Sequence, residues 1–246
     1  MNKEFYVDST LLHFLVITIV FISTLTRSTL GFGDALIAMP LLVTIIGAQT
    51  ATPLVAFMGF TIAVTILSGN WRDVDIKAAW RLILSSLVGI PLGILLLKGA
   101  PERIVSGVLG ALLISFGLYN LIAPRLPTLG WNGFAYIFGF VAGILGGAYN
   151  TNGPPIVIYG TLRRWPPERF RATLQGYFFP SGILLLTGHA LAGLWTREVL
   201  QLYGYSLPFI LLAVFLGGKF NKSIPRGRFD RFVYAFLVLM GVLLLL

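Results

Sequence analysis

Between two apolar runs of the chain lies the stretch Gly146-Gly147-Ala148-Tyr149-Asn150-Thr151-Asn152-Gly153-Pro154-Pro155. Glycine permits turns that other residues resist, and proline is well tolerated where a helix begins, because the first N–H groups lack partners there. The stretch therefore predicts that one helix ends and another begins inside an apolar region. Non-helical backbone at membrane depth is tolerated only where protein encloses it or where it lines a cavity. We therefore expect a broken membrane helix that contributes to a site.

The composition is that of an integral membrane protein. Of 246 residues, 57% are hydrophobic and 11% are charged, and the mean hydropathy is +0.87, whereas soluble domains carry about a quarter charged residues. The apolar runs are continuous rather than alternating, which predicts an all-α protein. The basic residues behind the net charge of +9 are scattered between apolar runs, so nucleic acid is not an expected partner. Without cysteine, two histidines cannot build a usual metal site, and the sequence predicts no cofactor.

The apolar runs predict about ten membrane segments. A helix needs about 20 apolar residues to cross the hydrocarbon core. Eight runs meet or approach that length, at residues 10–27, 50–68, 78–97, 102–123, 131–147, 171–190, 198–218 and 229–246. Two shorter apolar pieces, 35–47 and 154–162, follow glycine-rich breaks. Each short piece either crosses as a thin span or returns as one arm of a re-entrant hairpin, and the sequence leaves both alternatives open.

The two halves of the sequence resemble each other. Trp71 matches Trp195 at a shift of 124 positions, with further glycine, lysine and proline matches beyond it, and Gly31 matches Gly146 at a shift of 115. Repeated halves that each open with a broken apolar segment are typical of transporter folds. We therefore expect a single membrane transport domain over residues 1–246.

This repeat divides the domain into a first repeat, 1–123, and a second repeat, 131–246, joined by a linker at 124–130. Each repeat then holds five membrane segments, with the break between its first and second segments, and an odd number makes the halves inverted. Most of the 18 Lys and Arg residues fall on one face, which is then cytoplasmic. Four crossings per half would give a weaker asymmetry. We expect a multi-pass protein of the cell inner membrane with both termini outside the cytoplasm.

The first break reads Arg27-Ser28-Thr29-Leu30-Gly31-Phe32-Gly33-Asp34 and leads into another apolar run. At the start of the helix after each break, free N–H groups and the positive end of the helix dipole favour an anion. Inverted halves would bring two such helix starts together near the middle of the bilayer. The sequence therefore predicts a site for a small anion between Gly31–Asp34 and Asn150–Pro154.

These motifs resemble one transporter family. The first has the pattern G-x-G leading to P-L-L, and the second, from Gly146 to Tyr159, has the pattern G-G-x-x-x-T-x-G-P-P-x-x-x-Y. Together with the segment 165–174, they resemble the TauE/SafE sulfite exporter family over essentially the whole chain. The sequence departs from the family at Asp34-Ala35 and at Asn152, where glycine is common, and these departures bear on the substrate.

The resemblance implies a secondary transporter that exports a small sulfur-containing anion, either sulfite or a short organosulfonate. Alternating access is the mechanism we expect. The alternatives are an anion channel and a transporter of a small carboxylate or another non-sulfur anion. An enzyme is not expected, because the sequence offers no nucleophile–base pair or metal cluster within the membrane segments. The expected partners are the anion and membrane lipids, with proton coupling as a hypothesis. Glycine-rich spans allow close packing within one chain or in a homodimer.

Three polar residues of the second break are candidate ligands for the anion. Asn150, Thr151 and Asn152 carry amide and hydroxyl donors that suit sulfonate or sulfite oxygens. The alternative is that they cap the helix that begins near Pro154.

Two charged residues of the first break are further candidates. Asp34 is the only acid expected deep in an apolar region, and it is either a coupling site for a proton or the N-cap of the next helix. Arg27 either binds the anion through its guanidinium fork or extends to the cytoplasmic surface, where it pairs with Asp34.

The remaining substrate-binding candidates surround these positions. Arg171 and Gln175 are one helical turn apart and either line a cytoplasmic entrance or, for Arg171, anchor a helix end. His189 and His13 are expected at the membrane interface. The other candidates belong to the two breaks themselves: Gly31, Phe32, Gly33, Tyr149, Gly153 and Pro154.

Overall fold

The computed structural model describes residues 9–70, 76–122, 128–220 and 226–245, and these residues form ten α-helices and no strand. In chain order the helices are α1 Ser9–Leu30, α2 Asp34–Ile46, α3 Ala48–Asn70, α4 Ile76–Gly99, α5 Glu102–Ile122, α6 Phe134–Tyr149, α7 Gly153–Leu162, α8 Pro167–Leu191, α9 Arg197–Phe220 and α10 Arg226–Leu245. Each apolar run of the sequence lies on one of them.

Five of the described helices, α1, α3, α4, α5 and α9, are long and apolar enough to cross a membrane. The short apolar pieces form α2, with 13 residues, and α7, with 10. Many large apolar side chains on the long helices are exposed, such as Leu95, Ile122 and Phe215. An exposed apolar surface of this kind suits lipid rather than water. The prediction of an all-α, multi-pass membrane protein is confirmed at this level.

The chain leaves the helical conformation at residues 31–33 and 150–152 for local reasons. Gly31 and Gly33 have φ angles of +93° and +102°, which glycine adopts without the clash that a Cβ would cause. Asn150 has φ 53°, and asparagine is among the few other residues that tolerate this region. Its backbone N–H donates to the Gly146 carbonyl oxygen over 2.8 Å and closes the end of α6.

Helices from opposite halves of the chain pack closely against each other. Helix α4 lies along α6, and α9 lies along α1. A Cβ at Gly93 of α4 would collide with the Ile144 carbonyl oxygen of α6, and a Cβ at Gly217 of α9 would lie 3.1 Å from the Leu25 carbonyl oxygen of α1. Backbones that approach this closely require glycine, as is common between membrane helices. The two contacts match, because Gly93 and Gly217 are partners at the shift of 124.

The first helices of the two halves align at a different shift from the one that the sequence suggests. The carbonyl contacts pair Leu25 with Ile144, and the starts of α2 and α7 pair Asp34 with Gly153; both shifts are 119. The match of Gly31 with Gly146 is therefore wrong as a structural alignment. Gly31 lies in the break and supplies a positive φ, whereas Gly146 lies inside α6, where a Cβ would lie 3.2 Å from the Asn152 Cβ.

A glycine substitution tests the α4–α6 contact. Gly93→Ala should lower the free energy of unfolding by about 1–3 kcal/mol, because the added methyl group collides with the backbone of α6 and the helices must separate. Thermal unfolding in detergent measures the effect. Gly218→Ala is the matched control, because a Cβ at Gly218 meets nothing within 4 Å. Equal stability of the two variants would contradict the packing described above.

Candidate functional site

Both breaks line one small cavity. Its volume is about 20 Å³, which is room for about one water molecule. The helix starts of α2 and α7 contribute most of its wall, and α1 and α8 complete it. The lining residues are Arg27, Phe32, Gly33, Asp34, Ala35, Leu36, Asn150, Thr151, Asn152, Gly153, Pro154 and Phe178.

An ion pair of two buried side chains crosses the first break. The Arg27 Nη1 lies 2.7 Å from the Asp34 Oδ2, and the two residues are 4% and 6% exposed. The expectation that Arg27 extends to the surface is therefore wrong, whereas its pairing with Asp34 is present. Asp34 is also not the N-cap of α2, because Gly33 holds that position and no side chain caps the helix there.

The Arg27 guanidinium is only partly satisfied. Its Nε and Nη2 are buried and have no hydrogen-bond partner. Its Cζ lies 4.8 Å from the centre of the Phe178 ring, in a cation–π arrangement. A buried donor without a partner costs about 1–3 kcal/mol, and more for a charged group. Two adjacent free donors of one guanidinium form the edge that binds two oxygens of an oxyanion.

The amides of the second break hold the break in place rather than capping α7. The Asn150 Nδ2 donates to the Val55 carbonyl oxygen of α3 over 3.1 Å, and the Asn152 Nδ2 donates to the Ser181 Oγ of α8 over 3.4 Å. Asn152 is the N-cap residue of α7, but its side chain makes no capping bond. The capping alternative is therefore wrong for Asn152.

The two helix starts offer different numbers of backbone donors. In α2 the first helical bond runs from the Ile37 N–H to the Gly33 carbonyl oxygen, so the amides of residues 34–36 have no acceptor within the helix. In α7, Pro154 and Pro155 lack an N–H, and Gly153 therefore supplies the main free amide. Most backbone donors of the cavity belong to α2.

Gly59 of α3 lies next to polar side chains of both breaks. A Cβ at this position would lie 3.2 Å from the Arg27 Nη1, 3.4 Å from the Asn150 Nδ2 and 3.5 Å from the Asp34 Oδ2. Polar groups of Arg27, Asp34 and Asn150, from three separate parts of the chain, thus come together beside Gly59. Sequence reasoning missed Gly59 and Phe178, because a glycine and a phenylalanine inside long apolar helices carry no signal of their own.

The other predicted candidates have mixed outcomes. Gly31 and Tyr149 do not line the cavity, although Tyr149 is fully buried at the end of α6. Arg171 and Gln175 belong to α8, and their side chains lie outside the described residues. The expectation of an interfacial His189 is wrong: it is 0% exposed, and its Nε2 lies 3.1 Å from the Gly147 carbonyl oxygen.

Comparison with known families agrees with this geometry. The model of the family described as "Sulfite exporter TauE/SafE" matches residues 15–244. The chain belongs to the TauE/SafE family. The match includes both breaks and the ten helices except the first residues of α1 and the last of α10. Membership places the chain among membrane exporters.

One curated relative in the TauE/SafE family is the "Probable sulfite/organosulfonate exporter TauE" of Cupriavidus necator. It is 22% identical over 229 residues, which cover 91% of this chain and 90% of the relative. No solved structure matches the chain. The family and its transport role are therefore shown, while the substrate of this chain has to be argued from its own residues.

Removing the guanidinium tests the ion pair. Arg27→Met should cost about 3–5 kcal/mol of unfolding free energy, because it leaves the buried Asp34 carboxylate without a counter-charge. The double variant Arg27→Met/Asp34→Leu should recover most of that loss, since it removes both charges. Unfolding in detergent measures both effects.

Arg103→Met provides the control, because Arg103 is an exposed residue of α5, and it should change stability by no more than about 0.5 kcal/mol. A double variant no more stable than Arg27→Met would contradict the pairing.

Proposed function

We propose that this chain is a secondary transporter that exports a small sulfur-containing anion, sulfite or a short organosulfonate, by alternating access. The observation that carries the proposal is buried Arg27, which lines a cavity where two helices begin and whose Nε and Nη2 have no hydrogen-bond partner. Charge, hydrogen-bond donors and helix dipoles there all favour a negative ligand. The name of the curated relative supports sulfite and organosulfonates as the substrate class.

The cavity supports alternating access rather than an open channel. Arg27, Asp34, Asn150, Thr151 and Asn152 are each less than a tenth exposed. A space of about 20 Å³ holds about one water molecule, and a sulfonate group with three oxygens needs more room. The anion must therefore enter through a rearrangement that opens the cavity.

The lengths of the short helices support a site near the middle of the bilayer. Helix α2, with 13 residues, is about 20 Å long, and α7, with 10 residues, is about 15 Å long. Together they measure roughly the thickness of a hydrocarbon core, which is about 30 Å. If the two helices run from a common site to opposite faces, each crosses about half of the membrane. Inverted repeats of five segments produce this arrangement.

Contacts between helix ends support the proposed sidedness. Lys98, in the last turn of α4, donates to the carbonyl oxygen of Ala192, which follows α8, over 2.6 Å. The Ala48 N–H, at the start of α3, donates to the Glu102 Oε1, at the start of α5, over 3.2 Å. All of these positions belong to the face proposed as non-cytoplasmic, together with both termini. On the other face, Arg163 donates to the carbonyl oxygens of residues 129 and 130, which belong to the linker between the halves. Five segments per half bring these loops together in this way.

The energetics favour export across an inner membrane. An inside-negative potential drives each exported negative charge by about 2.3 kcal/mol per 100 mV. Coupling to protons is therefore not required. Asp34 is the proposed coupling residue, because it contacts the proposed anion ligand Arg27 directly.

Leucine substitutions in the second break test the proposed function. Asn150→Leu and Asn152→Leu should each slow sulfite or organosulfonate efflux from proteoliposomes by roughly 10- to 100-fold, because an amide that holds the break is lost and a bulky apolar group enters the cavity. Efflux should saturate with substrate concentration in the unaltered protein.

The matched control is Asn120→Leu in α5, where the amide donates only to the Phe116 carbonyl oxygen of its own helix. This variant should transport normally. Flux that rises linearly with concentration would instead indicate a channel. Full activity in the Asn150 and Asn152 variants would contradict the site, and saturable transport of carboxylates alone would contradict the substrate class.

A further inference from the structure

The charged side chains around the cavity cancel each other. Among the described residues that line it, Arg27 and Asp34 are the charged ones, and they form a pair of opposite sign. Because the pair has no net charge, the positive charge that attracts an anion comes from the backbone.

The N-termini of two helices supply this positive charge. A helix N-terminus acts as about +0.5 of an elementary charge, and both α2 and α7 begin at the cavity. Their sum is at most about +1, because Pro154 and Pro155 leave α7 with fewer free N–H groups than α2. With the neutral ion pair, the site therefore complements one negative charge.

The hydrogen bonds of Arg27 independently indicate a ligand with one negatively charged group. Its Nη1 is engaged by Asp34, and its Nε and Nη2 are free. One guanidinium edge is thus occupied by an internal carboxylate, and one edge is left for a ligand. A single oxyanion group can bind there through two oxygens.

We propose that Asp34 determines the charge of the substrate, so that the site selects singly charged oxyanions, such as monovalent sulfonates and hydrogen sulfite, over doubly charged ones. This inference rests on the proposed function, because it assigns a specificity-determining residue to the same site. A ligand on the free edge of Arg27 lies close to the Asp34 carboxylate on the neighbouring edge. Each further negative charge on the ligand is repelled by it.

A purely structural role for Asp34 makes a different prediction. If the carboxylate only held Arg27 in place, its loss would weaken the binding of singly and doubly charged ligands by the same factor. If it sets the charge balance, Asp34→Asn raises the net charge of the site by one unit, and doubly charged ligands gain relative to singly charged ones. The ratio of two affinities therefore separates the two roles.

The test uses two ligands of nearly the same shape. Methanesulfonate carries one charge, and methylphosphonate carries two at a moderately alkaline pH. Their affinities for the full-length protein in detergent are measured from ligand-induced thermal stabilisation. The unaltered protein should prefer the sulfonate by at least about 10-fold, given the interaction of unit charges a few ångströms apart in a protein environment.

Asp34→Asn should reduce this preference by about 10-fold or more, and Asp34→Glu, which keeps the charge, should retain it. Glu198→Gln is the control, because Glu198 is an exposed acid at the start of α9, and it should leave the ratio unchanged. An Asp34→Asn variant with an unchanged affinity ratio would overturn the charge selection and would not contradict the proposed transport function.

If Asp34→Asn does not fold, the affinities of the unaltered protein for the two ligands still test the charge selection. Equal affinity for the two ligands, or no binding of the sulfonate, overturns the charge selection. The proposed function fails separately, when sulfite and organosulfonates are not transported at all. Sulfite efflux without a sulfonate preference would therefore remove this inference alone.

Discussion

The hydrocarbon core of a membrane contains no water, so each polar group that enters it must find a partner inside the protein. This chain brings two stretches of non-helical backbone and a buried arginine into its apolar interior. Such groups are costly when separate and cheaper when they are enclosed together. The convergence of both breaks on one cavity follows from this constraint, and the polar side chains that surround the cavity satisfy much of the broken backbone.

One of the groups that stays incompletely hydrogen-bonded is the Arg27 guanidinium. Asp34 takes one side of the Arg27 guanidinium, while the Nε and Nη2 donors remain without a partner. A membrane protein under selection for stability alone would replace this pair by apolar residues, since buried ion pairs contribute little net stability. Local features that break the rules of stability are expected at functional sites. The residual donors are therefore the feature of the fold that most directly points to a ligand.

The helices around the cavity are held by close backbone contacts. Gly93 and Gly217 occupy matching positions in the two halves, and each lets a helix of one half approach a helix of the other. Without a strong hydrophobic force between helices in lipid, such packing is a main source of association. The breaks are thus supported by contacts that join both halves of the chain.

The sequence by itself determined the number and approximate bounds of the helices, because the length and continuity of apolar runs are local properties that a bilayer selects directly. It also identified both breaks and the polar residues Asp34 and Asn150, since charged or amide groups are rare in apolar segments. Only the tertiary structure decided that Arg27 faces inward, that the first helices align at a shift of 119, and that Gly59 and Phe178 border the site. These facts depend on which side of a helix meets which neighbour, and in a uniformly apolar helix the sequence marks no side.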